Sequence, residues 1–221
     1  MEKKKLYIIG AGGFGREVAW LVERINSRKD EWNLVGFIDD NPAVAGTLVG
    51  GVPVVGTIDS LLDLDSEAWC VCAIGSVGVR RQIIKKLENC SNLHFPILLD
   101  PDVSFSSSVS IGEGSIICAG SIITVDVSIG RHVIVNLNCT VGHDAEIGDF
   151  TTVAPSVDIC GHVTIGECCN IGVGAQIIQG ITIEHDSVVG AGAVVVRDAS
   201  ISGTYVGVPA RLIKTSDGRL I

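Results

Sequence analysis

Residues 111–153 read IGEGSI ICAGSI ITVDVS IGRHVI VNLNCT VGHDAE IGDFTT V, and cutting the run every six residues puts Ile or Val at the head of each block. The phase continues unbroken through Ile159, Ile165, Ile171, Ile177, Ile183, Val189 and Val195 to Ile201, so all sixteen positions are Ile or Val. The residue four places on is usually small (Ser115, Ser121, Cys139, Ala145, Thr151, Ala175, Ser187, Ala193), and Gly often follows the aliphatic residue directly. A helix needs apolar contacts every 3.6 residues and a half-buried strand every two, so neither yields a strict six. A three-faced prism does. Each hexad is one short strand and a corner, its Ile or Val points to the axis, and Gly or a small residue relieves crowding at the bend. Three hexads close a coil, so residues 105–201 make about five coils stacked roughly 4.8 Å apart. Nothing is inserted in the run, so no long loop projects. A β-sandwich would instead show period-two alternation and loops of varied length.

Composition agrees with such a core. Of 221 residues, 47% are hydrophobic and 19% charged, a globular balance, while 27 glycines accompany only 5% aromatics. The net charge of −9 argues against a nucleic-acid partner, although backbone N–H groups and a single Lys or Arg still suffice for an anionic cofactor. No stretch approaches the roughly 18 apolar residues of a membrane span, so no membrane partner is expected. The opening MEKKKLYIIGAGG has lysines before apolar residues, as a signal peptide does, but its apolar run breaks at Gly10 and reads as a first strand. The eight cysteines lack zinc-ribbon spacing and follow no export signal, which predicts reduced thiols in a cytoplasmic protein. Cys139 and Cys169 fall at small inward positions of the repeat, where a thiol serves as an apolar filler.

Residues 4–24 read strand, glycine turn, helix, with Gly10, Gly12 and Gly15 spelling G-x-G-x-x-G in the context that gives the motif meaning. Such glycines let backbone approach a phosphate at a helix N-terminus; equally, they can make a tight turn and nothing more. A second strand, LVGFI, ends at Asp39 and Asp40, which either cap a loop or accept hydrogen bonds from a ribose or base. VPVVG and WCVCAIG supply two further strands, and a basic helix runs from Val79 to about Glu88 with Arg80 near its start. A domain of about 95 residues is short for two mononucleotide-binding halves, which favours a single nucleotide over NAD.

The order of these parts, closed by YVGVPARLIK at 205–214, resembles the bacterial sugar acetyltransferases of surface-polysaccharide synthesis. That group includes sialic acid O-acetyltransferase-like proteins and N-acetyltransferases acting on nucleotide-linked 4-amino sugars. The most telling match is VGHDAEIGDF, Val141 to Phe150. The resemblance implies a Rossmann-like α/β nucleotide-sugar-binding domain over 1–95 and an all-β left-handed parallel β-helix over 96–221. It further implies a cytoplasmic homotrimer with acetyl-CoA as co-substrate and no metal. His143 would be the general base, its basicity raised by Asp144. Bottom-up, His143 lies two residues after Val141, off the inward register, and so points out of the prism. An attacking amine or hydroxyl must lose a proton as it adds to a thioester, a task that suits histidine.

The same resemblance assigns acetyl-CoA contacts to the Gly161 N–H, which holds the thioester oxygen, and to Val173, Ala191 and Gly192 in a groove between subunits. Where the family commonly has a second His, nine residues after the first, this chain has Thr152, whose hydroxyl can still meet a thioester or pantetheine group. Around the nucleotide-sugar it places Gly12, Gly13, Phe14, Asp39, Asp40, Gly75 and Arg80. Three other readings stand beside this one: an O-acetyltransferase of a sialic acid-type sugar or other small acceptor, a non-catalytic trimeric nucleotide-binding protein, and a zinc site of the carbonic anhydrase kind. The last needs three converging histidines, and the candidates His94, His132, His143, His162 and His185 do not match that ligand pattern.

Overall fold

A computed structural model describes residues 3–221; Met1 and Glu2, the start of the lysine-rich opening, lie outside it. The chain forms two compact units, Met1–Pro101 and Asp102–Ile221.

The first unit runs β1 (Lys4–Ile9), α1 (Gly13–Arg28), β2 (Trp32–Ile38), β3 (Leu48–Val49), β4 (Val52–Gly56), α2 (Ile58–Leu62), β5 (Ala68–Cys72), α3 (Val77–Leu87) and β6 (Leu93–His94). The sheet order is β3-β4-β2-β1-β5-β6, parallel throughout except for the β3–β4 hairpin. Central β1 and β5 are covered on both faces, which is why they read as near-continuous apolar runs: Leu6, Ile8, Ile9, Cys70 and Val71 have no exposed surface. Helix α1 buries Val18, Ala19, Leu21 and Val22, a stripe at helical spacing. At its far end Arg24 grips the buried Asp100 with two nearly parallel bonds, Nε to Oδ2 at 2.6 Å and Nη2 to Oδ1 at 3.0 Å. That pairing is what makes a buried carboxylate tolerable there.

The second unit is the left-handed parallel β-helix. Until the last coil, the two-residue strands pair in parallel with those eighteen residues on, as in Ile123 with Val141, Val141 with Ile159, Ile159 with Ile177 and Ile177 with Val195. One face carries five strands and another six. From Ile117 to Val195 no hexad head is more than 3% exposed. Burying each contributes about 1.5–3 kcal/mol. Crowding at the bend is real and specific. A Cβ on Gly112, Gly130, Gly148 or Gly166 would stand 2.6–2.7 Å from the backbone nitrogen of the coil above, so only glycine lets successive coils close at that corner.

Two features go beyond the sequence reading. The small residue of the hexad bridges coils as well as filling space. Ser115 Oγ donates to the Gly130 carbonyl at 2.9 Å and accepts from Val133 N–H at 3.0 Å, and Thr151 repeats the pattern with Gly166 and Cys169. Cys139 and Cys169 stand in the same place and direct Sγ at the Ala154 and Glu184 carbonyls, 3.2 and 3.3 Å away. They are therefore weak donors in this ladder as well as fillers. All eight cysteines are free, and burial pushes the Cys70 and Cys72 thiols up to about 12. The other feature is the last hexad, where the expectation that Ile201 points inward is corrected. Ile201 is 53% exposed, because the chain slips by two residues and Ala199 takes the rung beside Ile183. The tail then adds Gly203–Val206 in parallel to the prism and folds back through Arg211–Thr215. Among the described residues no helix is long and apolar enough to cross a membrane.

Candidate active site

Corners of the prism place side chains by a simple rule. From Ile111 to Val189 the third residue after each hexad head adopts a left-handed conformation, filled by Gly114, Gly120, Gly174, Gly180 and Gly192 and by nine non-glycine residues. Asp, Asn and His tolerate this region best, and Asp144 (φ 58°) and His162 (φ 56°) both occupy it. Being eighteen residues apart, they stack one coil above the other.

His143 precedes Asp144 at the corner and, as the hexad phase requires, points outward; its side chain is 49% exposed. His143 Nδ1 lies 2.8 Å from Asp144 Oδ2. A carboxylate can only accept, so Nδ1 carries the hydrogen and Nε2 keeps its lone pair free. One coil up, Gly161 is buried, and a Cβ there would stand 2.6 Å from both Cε1 and Nε2 of the imidazole. The ring therefore rests flat against a bare α-carbon, close to the Gly161 backbone. His162, next along, stands edge-on to His143 with ring centroids 5.0 Å apart and puts Nε2 3.6 Å from Asp144 Oδ2. The stacking of His143 and His162 follows from their nineteen-residue spacing. Their junction with Asp144 was legible too, since 144 and 162 differ by one coil, but only once the corner conformation is known.

The structure groups His143, Asp144 and Gly161 at one corner and the remaining cofactor candidates elsewhere. Val173, Ala191 and Gly192 gather at a different corner, tied by the Gly192 N–H donating to the Val173 carbonyl at 2.8 Å. Gly192 has open space where a Cβ would be. Thr152 lies half-buried on the strand Thr152–Val153, in the eight-stranded run whose next strands, Asn170–Ile171 and Val188–Val189, lead into that second corner.

In the first unit the chain order reverses between β1 and β5, the kind of switch point at whose carboxyl strand ends parallel α/β sheets bind ligands. Gly10 and Gly15 are demanded by the fold. A Cβ on Gly15 would strike the Gly10 carbonyl oxygen at 2.0 Å, and Gly10 (φ 101°) would meet Ile74 at 2.9 Å. Gly12 and Gly75 differ: nothing lies within 4 Å of a Cβ there, and only the tip of Arg16 comes that near at Gly13. The chain alone does not need glycine at these positions, whereas a ligand lying on the backbone would. Phe14 is half-buried in the first turn of α1.

Asp39 ties the glycine turn to the end of β2, accepting from Ala11 N–H at 2.8 Å and Asn41 N–H at 2.9 Å. Asp40 accepts from Ile58 N–H at the start of α2. Arg80 is only 1% exposed and donates to the Ile74 and Gly75 carbonyls at 2.8 and 3.4 Å, so its guanidinium holds the loop carrying Gly75 from beneath. Sequence reasoning passed over Arg16. It sits exposed in the first turn of α1, where no acidic residue is present, with its stem against the Gly50 turn. A cation at the positive end of a helix is unfavourable by itself, and that misplacement was the available signal for an anion nearby.

Residues 5–87 match the PglD N-terminal domain family, and residues 104–125 and 162–197 match the hexapeptide repeat of succinyl-transferase. Among solved structures, the acetyltransferase domain of PglB from Neisseria gonorrhoeae in complex with acetyl coenzyme A is 34% identical. It covers 96% of this chain and all of its own, with a TM-score of 0.88. PerB from Caulobacter crescentus, in complex with CoA and GDP-perosamine, is 33% identical over 94% of this chain and 96% of its own, with a TM-score of 0.84. WeeI from Acinetobacter baumannii is 28% identical over 95% of this chain and all of its own, also with a TM-score of 0.84. No curated protein matches the chain.

Proposed function

Because the chain belongs to the hexapeptide-repeat sugar acetyltransferases that carry a PglD-type N-terminal domain, we propose that it acetylates the amino group of a nucleotide-linked 4-amino-deoxy sugar, with His143 as general base. It is an acyltransferase that uses acetyl-CoA. The observation that carries the finer reading is the His143–Asp144 pair laid against the bare Gly161. Asp144 fixes the tautomer, so Nε2 receives the proton of the amine as nitrogen adds to the thioester carbonyl. The Gly161 N–H suits the oxyanion of the tetrahedral intermediate. Collapse breaks the carbon–sulfur bond, and the imidazolium returns its proton to the departing CoA thiolate. Positioned base catalysis of this kind is worth about 10²–10⁴-fold, and preorganised donors to the oxyanion a comparable amount.

The assembly in this reading is the homotrimer that the family resemblance implies, and the distribution of the cofactor candidates supports a shared groove. Val173, Ala191 and Gly192 occupy a different corner from His143 within one chain, so a groove using both sets takes its two walls from neighbouring copies, with Thr152 available to the pantetheine. In the first unit, Gly12, Gly13, Phe14 and Gly75 offer backbone to the pyrophosphate and Arg16 offers charge. In this reading Asp39 and Asp40, at the end of β2, would face the ribose or base, and Arg80 supports the loop. Acetyl-CoA chemistry and eight free thiols fit a cytoplasmic setting.

Calorimetry with GDP-, UDP- and dTDP-linked 4-amino sugars should find one that binds in the micromolar range, with no heat from NAD or NADP. Gly13→Trp should raise the KM for that acceptor at least about tenfold while leaving acetyl-CoA affinity unchanged, since handle binding is remote from the reacting carbonyl. Binding of NAD alone would overturn the acceptor assignment.

A further inference from the structure

We propose that His143, Asp144 and His162 form a binding site for a divalent ion of the zinc class, and that filling it shuts off acetyl transfer. The three side chains each offer one ligand atom, all within 4.8 Å of one another. Asp144 Oδ2 is the hub, 2.8 Å from His143 Nδ1 and 3.6 Å from His162 Nε2. Bonds of about 2.0–2.2 Å to a tetrahedral zinc place its ligand atoms ~3.3–3.5 Å apart, so small side-chain rotations complete the set. Two imidazoles and a carboxylate suit zinc, cobalt or nickel, and three protein ligands leave the fourth position to water.

The scaffold favours the ion as well. Asp144 and His162 are fixed at successive corners, and the His162 N–H donates to the His143 carbonyl at 2.8 Å, so the three cannot drift apart without opening a coil. All three side chains are about half exposed, which gives the ion a way in. The transfer reaction has no use for His162, yet its imidazole faces the same carboxylate as the base. An ion here binds Asp144 and the Nδ1 of His143, moving that ring's hydrogen to Nε2 and so removing the lone pair the base needs; it acts as an inhibitor and supplies no chemistry. Binding rests on the geometry alone; the shut-off rests on His143 being the base.

The test uses zinc with the full-length enzyme. Equilibrium dialysis should find about one strongly held zinc per chain in the wild type and at least about tenfold weaker binding in His162→Asn, the cost even of losing an outer-shell partner. Asparagine keeps the left-handed backbone, so the variant should fold and turn over within about threefold of wild type without metal. Zinc should inhibit the wild type, chelator should restore it, and His162→Asn should resist. Cys160 is exposed two residues before His162, so cobalt(II) spectra are needed as a control. A spectrum without a thiolate charge-transfer band supports the site. A thiolate band that persists in His162→Asn, or equal zinc affinity in both proteins, overturns it. Zinc that binds through His162 but leaves wild-type turnover untouched would keep the site and overturn the shut-off, and with it the role given to His143.

Discussion

The prism carries two His–Asp corners built alike, and only one has the makings of a site. His143 and Asp144 sit at the same hexad phase as His185 and Asp186, with Nδ1–Oδ2 separations of 2.8 and 3.0 Å and similar exposure. What differs is the surroundings. His143 leans on the bare α-carbon of Gly161, leaving Nε2 free beside a backbone that can face an oxyanion. His185 has Glu184 Oε1 3.5 Å from Nε2, so carboxylates flank both its nitrogens, and the repeat slips within the coil above it. A histidine oriented by an aspartate is therefore a by-product of corner geometry, available wherever the two residues fall in phase. The chemistry comes from the coil above.

The sharpest way to break this comparison is to remove each imidazole in turn. His143→Ala should lower kcat by about 10²–10⁴-fold, while His185→Ala should leave it within about twofold, both read by thiol release from acetyl-CoA with saturating acceptor. Equal losses would sink the distinction. Next, Gly161→Ala puts a methyl carbon where the ring now lies, 2.6 Å from two of its atoms, so the imidazole must swing away. We expect kcat to fall about 10–100-fold, as misplacing a reacting group by an ångström does, with little change in Tm. Smallest is the orienting carboxylate. Asp144→Asn keeps a residue that tolerates positive φ and should cost kcat about tenfold, because the amide no longer stabilises the imidazolium. The matched Asp186→Asn should cost nothing in the same thiol-release assay.

Legibility in the sequence followed translational repetition. A six-residue period repeated sixteen times survives any local irregularity, so the prism, its coil length and its inward faces could be read from Ile and Val alone. Its end could not, because the two-residue slip that exposes Ile201 has no periodic signature. In the first unit the long elements showed, but β3, α2 and β6 are too short to establish a period. Arg80 was placed near the nucleotide-sugar by the resemblance alone; its burial beneath the Gly75 loop depends on how α3 packs, which composition does not reveal. His143 stood out only through a resemblance, since an outward histidine carries no signal of its own. His162 needed one further fact, the left-handed corner that stacks it over Asp144.

The eighteen-residue pairing also has a consequence for which changes of length the protein tolerates. Deleting one residue between two rungs would turn every later side chain onto the wrong face. Deleting a whole coil above Gly161 would splice like to like and leave a shorter but coherent column. The stretch from His143 to Gly161 is the exception, since its length is what lays a ring upon an α-carbon. Such a chain can therefore grow or shrink only in whole turns, with that one turn kept as its fixed gauge.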